Sequence, residues 1–254
     1  MRRSKSFIIL KEHSQSILDF SVLVCTAVPQ LRHALNEHES DPSVFIASNS
    51  HFRESHEPYS TERRTLTKYK AIQGANLLLS NFSFFESFFF NLIDEIIEFH
   101  CCEEEFLNHV KSHIAKEVTL DESDNRNLSK LRKSYEIGKR ERYRKYTELV
   151  KPTDIIWPSE RLALYGAHQM ISNRKRWKSV DIPKLCRNLL AFDIEEETEG
   201  KFHNIRDERN NIAHGKRLSY DLQKATEANY FLYKFAKDID EHVVKTFFII
   251  ERLR

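Results

Sequence analysis

The chain reads as an all-α helical bundle, and three observations predict this. Only 5 of its 254 residues are glycine and 6 are proline, so helix breakers are scarce. Apolar residues make up 40% and charged residues 31%, with Leu, Lys, Glu and Arg abundant, a balance suited to amphipathic helices. Over long stretches the apolar positions recur every three or four residues, the helical period. The length suits one large domain or two small ones.

Residues 7–37 predict a first helix, with Ile9, Ile17, Phe20, Leu23, Val24, Val28, Leu31 and Leu35 near helical spacing and Pro29 as an expected kink. Residues 38–60 are polar and hold two prolines, which predicts a long loop. The expected organisation is therefore an N-terminal helix and loop over 1–60, followed by a bundle over 61–254. A very long second helix runs from Thr61 to His100, with a break expected near Gly74. A third covers Glu103 to Val118 and ends at the loop TLDESDNRN. PSERLALYGAHQMIS starts a further helix, with Ser159 as its cap and Glu160 in its first turn. PKLCRNLLAF (183–192) is short, with Pro183 in the first turn. A last helix spans about Tyr220 to Leu253. Its stripe of Leu222, Ala225, Asn229, Leu232, Ala236, Ile239, Val243, Phe247 and Ile250 is close to a seven-residue period.

Formal net charge is only +2, so a polyanion partner has to be met by local patches and not by bulk charge. The most apolar run, Phe82 to Phe99, contains Glu86, Asp94, Glu95 and Glu98, which suits a core helix and not a membrane span. The apolar run near the N-terminus is too short for a secretory signal. Four cysteines in so long a chain do not read as a disulfide framework. A cytoplasmic location is expected. His109 and His113 share a helical spacing, but no Glu occupies the zincin position, and Cys101 and Cys102 beside His100 read as core. No Gly-rich phosphate loop and no serine elbow is present. Neither a metal nor a cofactor is expected.

One stretch breaks the helical pattern chemically. In RDERNNIAHG (206–215), Arg209 lies on the stripe that Phe202, Ile205 and Ile212 define, where an apolar side chain belongs. A charge in a packing seam has to find an anion, because an unpaired buried charge is expensive. Glu86 or Asp94 on the apolar helix could supply it. Asn210 and His214 are four residues apart on a neighbouring face. Gly215 then predicts the helix stop.

Arg209-Asn210-Asn211-Ile212-Ala213-His214 resembles the Arg-x4–6-His motif of HEPN-domain ribonucleases, in which Asn, Asp or His typically follows the Arg. The apolar, acidic helix upstream and the long helix downstream resemble that family too, over roughly residues 68–254. The first 60 residues have no such counterpart. The resemblance implies a helical domain that cuts RNA without metal, as toxins or anti-phage effectors do. It implies a homodimer pairing two motifs, and control by an antitoxin or operon partner.

The chemistry suits the residue types. The ribose 2′-hydroxyl attacks the adjacent phosphate, so one group takes its proton and another protonates the leaving 5′-oxygen. Imidazoles as a class change charge near neutrality, so a histidine at position 214 suits either role. Arg209 offers a planar cation for the phosphate oxygens. Asn210 can orient the imidazole or hold the phosphate. Glu86 is either a partner of Arg209 or a supporting residue of the reaction. Products would carry 2′,3′-cyclic phosphate and 5′-hydroxyl ends.

Two other readings stand beside this one. One is a non-catalytic HEPN domain serving dimerisation or regulation. The other is a basic helical RNA-binding protein, resting on residues 129–151, where nine Lys or Arg stand against three Glu with Tyr135, Tyr143 and Tyr146 interleaved. Lys139, Arg140, Arg142, Arg144 and Lys145 there, and Arg174 and Arg176 in NRKRWK, are the expected RNA contacts.

Overall fold

The computed structural model describes residues 3–44, 46, 59–100, 102–106, 171, 174–190 and 192–247, and every regular element among these is helical. The fold is all-α. Its helices are α1 (Lys5–Ser40), α2 (Ser60–Leu66), α3 (Tyr69–Phe99), α4 (Ile182–Leu190), α5 (Glu196–Ala213) and α6 (Leu222–Thr246), with two short 3₁₀ turns at Arg174–Arg176 and Ser179–Asp181. No helix among the described residues is long and apolar enough to cross a membrane. The expected helices over 107–118 and 158–170, and the basic stretch 129–151, lie outside the described residues.

The chain divides into two compact units that both draw on α3, α5 and α6. One comprises Ser6–Phe88 and Phe202–Lys237; the other comprises Met1–Lys5, Phe89–Lys201 and Asp238–Arg254. The first unit therefore takes residues from both sides of position 60 and holds the RDERNNIAHG stretch.

Aromatic side chains form the centre of the first unit. Phe82 and Phe85 of α3 meet Phe202 of α5 at ring-centroid distances of 5.7 Å each, and Phe85 stacks on Phe235 of α6 at 5.6 Å. Phe82, Phe85 and Phe202 are fully buried. Removing a side chain of that size from water contributes roughly 1.5–3 kcal/mol, so these rings dominate the unit's cohesion. Helix α1 presents a narrower seam. Phe7, Ser14, Ser21 and Leu35 are buried at spacings of seven, seven and fourteen residues, and Ser21 accepts a 2.8 Å hydrogen bond from Gln73 of α3. Pro29 lies inside α1, which continues unbroken to Ser40.

The single helix expected from Thr61 to His100 is two helices. The chain breaks at Thr67–Lys68, where the Lys68 N–H bonds back only three residues to Thr65. Gly74, the expected break, sits in the interior of α3. Its role is close approach: a Cβ there would stand 2.3 Å from the Tyr220 carbonyl oxygen and 2.9 Å from the Leu222 nitrogen. Beside it, the Tyr220 N–H donates to the Ala71 carbonyl at 2.9 Å. The segment before α6 is thus seated directly on the first turns of α3.

In the second unit, Phe89, Leu92, Ile93 and Ile96 of α3, Leu185, Cys186 and Leu189 of α4, and Ile239, Val243 and Phe247 near the end of the chain are all buried. Burial pushes the Cys186 thiol far above its ordinary pKa, so this cysteine is an inert core residue. Buried Asp240 accepts hydrogen bonds from the Ser4 N–H, the Ser4 hydroxyl and Arg3, and so ties the N-terminus to α6. Arg187 grips Glu199 with two bonds, of 2.7 and 3.1 Å.

Candidate active site

Helix α5 carries two stripes set side by side. Phe202, Ile205 and Ile212 are buried, as their spacing predicts, and Arg209 shares that stripe. The anion that Arg209 needs is Glu86 of α3. Arg209 Nη2 donates to Glu86 Oε2 at 3.1 Å, and both side chains are about a quarter exposed or less, 22% and 25%. Nη1 donates to the Asn210 side-chain oxygen at 3.0 Å, and the guanidinium lies over the Phe82 ring at 5.2 Å. Asp94, the other carboxylate considered, faces Arg174 in the second unit at 3.7 Å. A single chain thus meets the charge of Arg209 without a second copy.

This coordination is incomplete. Arg209 Nε is buried and has no hydrogen-bond partner among the described residues. One residue before Phe82, Asn81 is buried with neither its amide nitrogen nor its oxygen paired. A buried polar group left unpaired costs about 1–3 kcal/mol, and such groups concentrate where a protein has to do more than fold.

His214 lies one residue beyond α5. Its N–H closes the last turn on the Asn210 carbonyl at 2.9 Å. Gly215 follows at φ +70°, the left-handed conformation that a helix stop requires and that glycine adopts without strain. Gly215 N–H bonds to Ile212 and Arg217 N–H to Asn211, capping the orphan carbonyls. The imidazole is exposed and has no hydrogen-bond partner among the described residues. Arg217 holds the following loop, donating to Glu208 at 2.7 Å and lying over the Tyr220 ring at 5.5 Å. Burial raises the pKa of the Tyr220 phenol, which stays neutral. The open His214 side chain therefore stands on a backbone pinned at both sides.

Arg209, Asn210 and Glu86 are in direct contact, and His214 is one turn from Asn210. The arrangement offers an anion-binding guanidinium, an amide nitrogen not needed by Arg209, and a solvent-facing imidazole. Of the expected RNA contacts, 139–145 lies outside the described residues. Arg174 is shared between Asp94 and Glu103, the latter at 3.2 Å, so its charge is already countered; Arg176 is exposed. No group of His, Cys, Asp or Glu among the described residues could hold a metal ion. The repeat that runs along α6 and ends just beyond it is packed inside the chain: Ala225, Asn229, Leu232, Ala236, Ile239, Val243 and Phe247 are all buried.

The motif stripe hid a second set of polar residues. His203 and Arg206 share a face with Asn210 and His214, at spacings of three, four and four. That spacing was visible in the sequence; the 2.9 Å contact between His203 Nδ1 and Arg206 Nη1 was not. Compared with protein-family models, with curated proteins and with solved structures, the chain matches none.

Proposed function

We propose that this protein is a metal-independent endoribonuclease of the HEPN type, acting as a toxin or anti-phage effector in the cytoplasm. The observation that carries the reading is the Arg209 cluster: a cation kept in a core stripe, incompletely coordinated, one turn from an exposed imidazole. Arg209 holds the scissile phosphate and stabilises its developing charge. His214 moves a proton at the 2′-hydroxyl or at the leaving oxygen. Asn210 has its oxygen turned to Arg209, which leaves its amide nitrogen to donate to phosphate. Glu86 is a positioning residue, since it touches Arg209 and is separated by that side chain from the reacting atoms.

One imidazole serves poorly as acid and base together, so the working unit in this reading is a homodimer that brings two motifs to one phosphate. An antitoxin or operon partner would restrain it. The purified protein should cut single-stranded RNA in EDTA and leave 2′,3′-cyclic phosphate ends. His214→Ala should slow cleavage by about 10²- to 10⁴-fold, the range for losing a general acid or base. Cleavage abolished by EDTA, or an unimpaired His214→Ala protein, overturns the reading.

The internal Glu86 contact favours one other reading, a non-catalytic HEPN domain in which Arg209 only joins two helices. It predicts no cleavage by the wild type, and a loss of stability with Arg209→Ala.

A further inference from the structure

We infer that the edge of α5 formed by His203, Arg206 and Asn210 is a binding surface for the RNA strand on one side of His214. The inference rests on the nuclease reading only for the identity of the polyanion. The four polar residues follow one another along a single helix face; Asp207 borders that face, and Glu199, one turn before His203, is already held by two bonds from Arg187. His203, Arg206 and Asn210 are half-buried and His214 is exposed, so the stripe runs along the rim of the packed face and opens at its His214 end.

Arg206 is the cation of this edge. Its side chain is only 16% exposed, yet its one carboxylate partner among the described residues is Asp207, its chain neighbour, which is 61% exposed. Asp207 Oδ1 accepts from Arg206 Nε at 3.1 Å and from Nη2 at 2.7 Å. Adjacent residues diverge on a helix, and an ion pair this open to solvent is worth little. A phosphate can therefore replace Asp207 at small cost, and its oxygens suit the guanidinium fork equally well. His203 fixes the fork from the other side. Its Nδ1 accepts from Nη1 at 2.9 Å, so that nitrogen carries no proton in this arrangement.

Distance decides the role. His203 and His214 are eleven residues apart, about 16 Å along the helix. They cannot act on the same phosphate from one chain. Arg206 and His203 thus contact a phosphate next to the scissile one, with Asn210 between.

The test measures binding of a fluorescent, single-stranded 2′-O-methyl RNA to the full chain over a range of salt. This probe lacks the nucleophile, so cleavage does not enter. Arg206→Gln should weaken binding about tenfold, the lower range for a lost hydrogen bond to a charged group, and flatten the logarithmic salt slope by about 0.7. Asp207→Asn removes the competing carboxylate at an exposed position and should tighten binding. No change in affinity and slope with Arg206→Gln, or no gain with Asp207→Asn, overturns the inference. A wild type that binds through Arg206 but never cuts cleavable RNA refutes the nuclease reading alone. A wild type that cuts RNA while Arg206 proves irrelevant refutes this inference alone.

Discussion

Two arginine–glutamate pairs, one in each unit, are equally half-buried and differ in how they are made. Arg187 meets Glu199 with both terminal nitrogens, at 2.7 and 3.1 Å, and this hydrogen bonding raises the arginine's already high pKa. Arg209 gives Glu86 a single 3.1 Å bond, spends its other terminal nitrogen on Asn210 and buries an Nε that has no partner among the described residues. The two-pronged pair joins α4 to the first turn of α5. The loose pair is held in place yet keeps binding capacity, which is what a site has to retain. In the proposed reading, similar exposure and the same two residue types serve different ends, and the share of bonds given to the glutamate tells them apart.

The sharpest way to break this contrast is to remove each arginine in turn. Arg209→Ala should lower RNA cleavage by roughly 10²- to 10³-fold, as for other donors aimed at transition-state charge. Arg187→Ala should leave the rate per folded molecule unchanged. Equal losses in single-turnover assays would mean that both pairs only hold the fold together.

Next in size is Gly74→Ala, which acts on the seat beneath the His214 loop without touching either pair. The added Cβ would press on the Tyr220 carbonyl and the Leu222 nitrogen, both backbone atoms with little room to yield. Overpacking of this kind costs typically 1–3 kcal/mol, read as a lower midpoint in denaturant. An unshifted midpoint would show that the seat is looser than its geometry.

The smallest effects come from the carboxylates. Glu199→Gln should destabilise by about 1 kcal/mol, at the upper end for a partly exposed pair with good geometry, and Glu86→Gln by less. Cleavage should respond in the opposite order, falling with Glu86→Gln and not with Glu199→Gln. Should Glu86→Gln move stability alone, its positioning role is refuted.

Much of this architecture was legible in residue spacing. Phe202, Ile205 and Ile212 declare the buried stripe of α5, the arginine among them declares its need for an anion, and Gly215 marks the stop. Glu86 could be proposed because an acidic residue amid phenylalanines has few reasons to be there. The remainder depended on tertiary contact. Gly74 looks like a breaker to any local rule, and only the arrival of Tyr220 makes it a contact point. The repeat in α6 was correctly read as apolar, but periodicity does not say whether such a face meets its own chain or a second one. Asp207 could not be recognised as the carboxylate on Arg206 until the side chains were in place.

The pairing of Glu86 with Arg209 also has a consequence for biosynthesis. The two are 123 residues apart, and the Ala71–Tyr220 contact spans more still. During translation the phenylalanine-rich helix emerges long before Phe202 and Phe235 exist to cover it, so the nascent chain carries an uncovered aromatic face over the synthesis of more than a hundred residues. The same delay applies to the candidate site. Until residues 209 and 214 are made there is no guanidinium beside Glu86 and no imidazole at the end of α5.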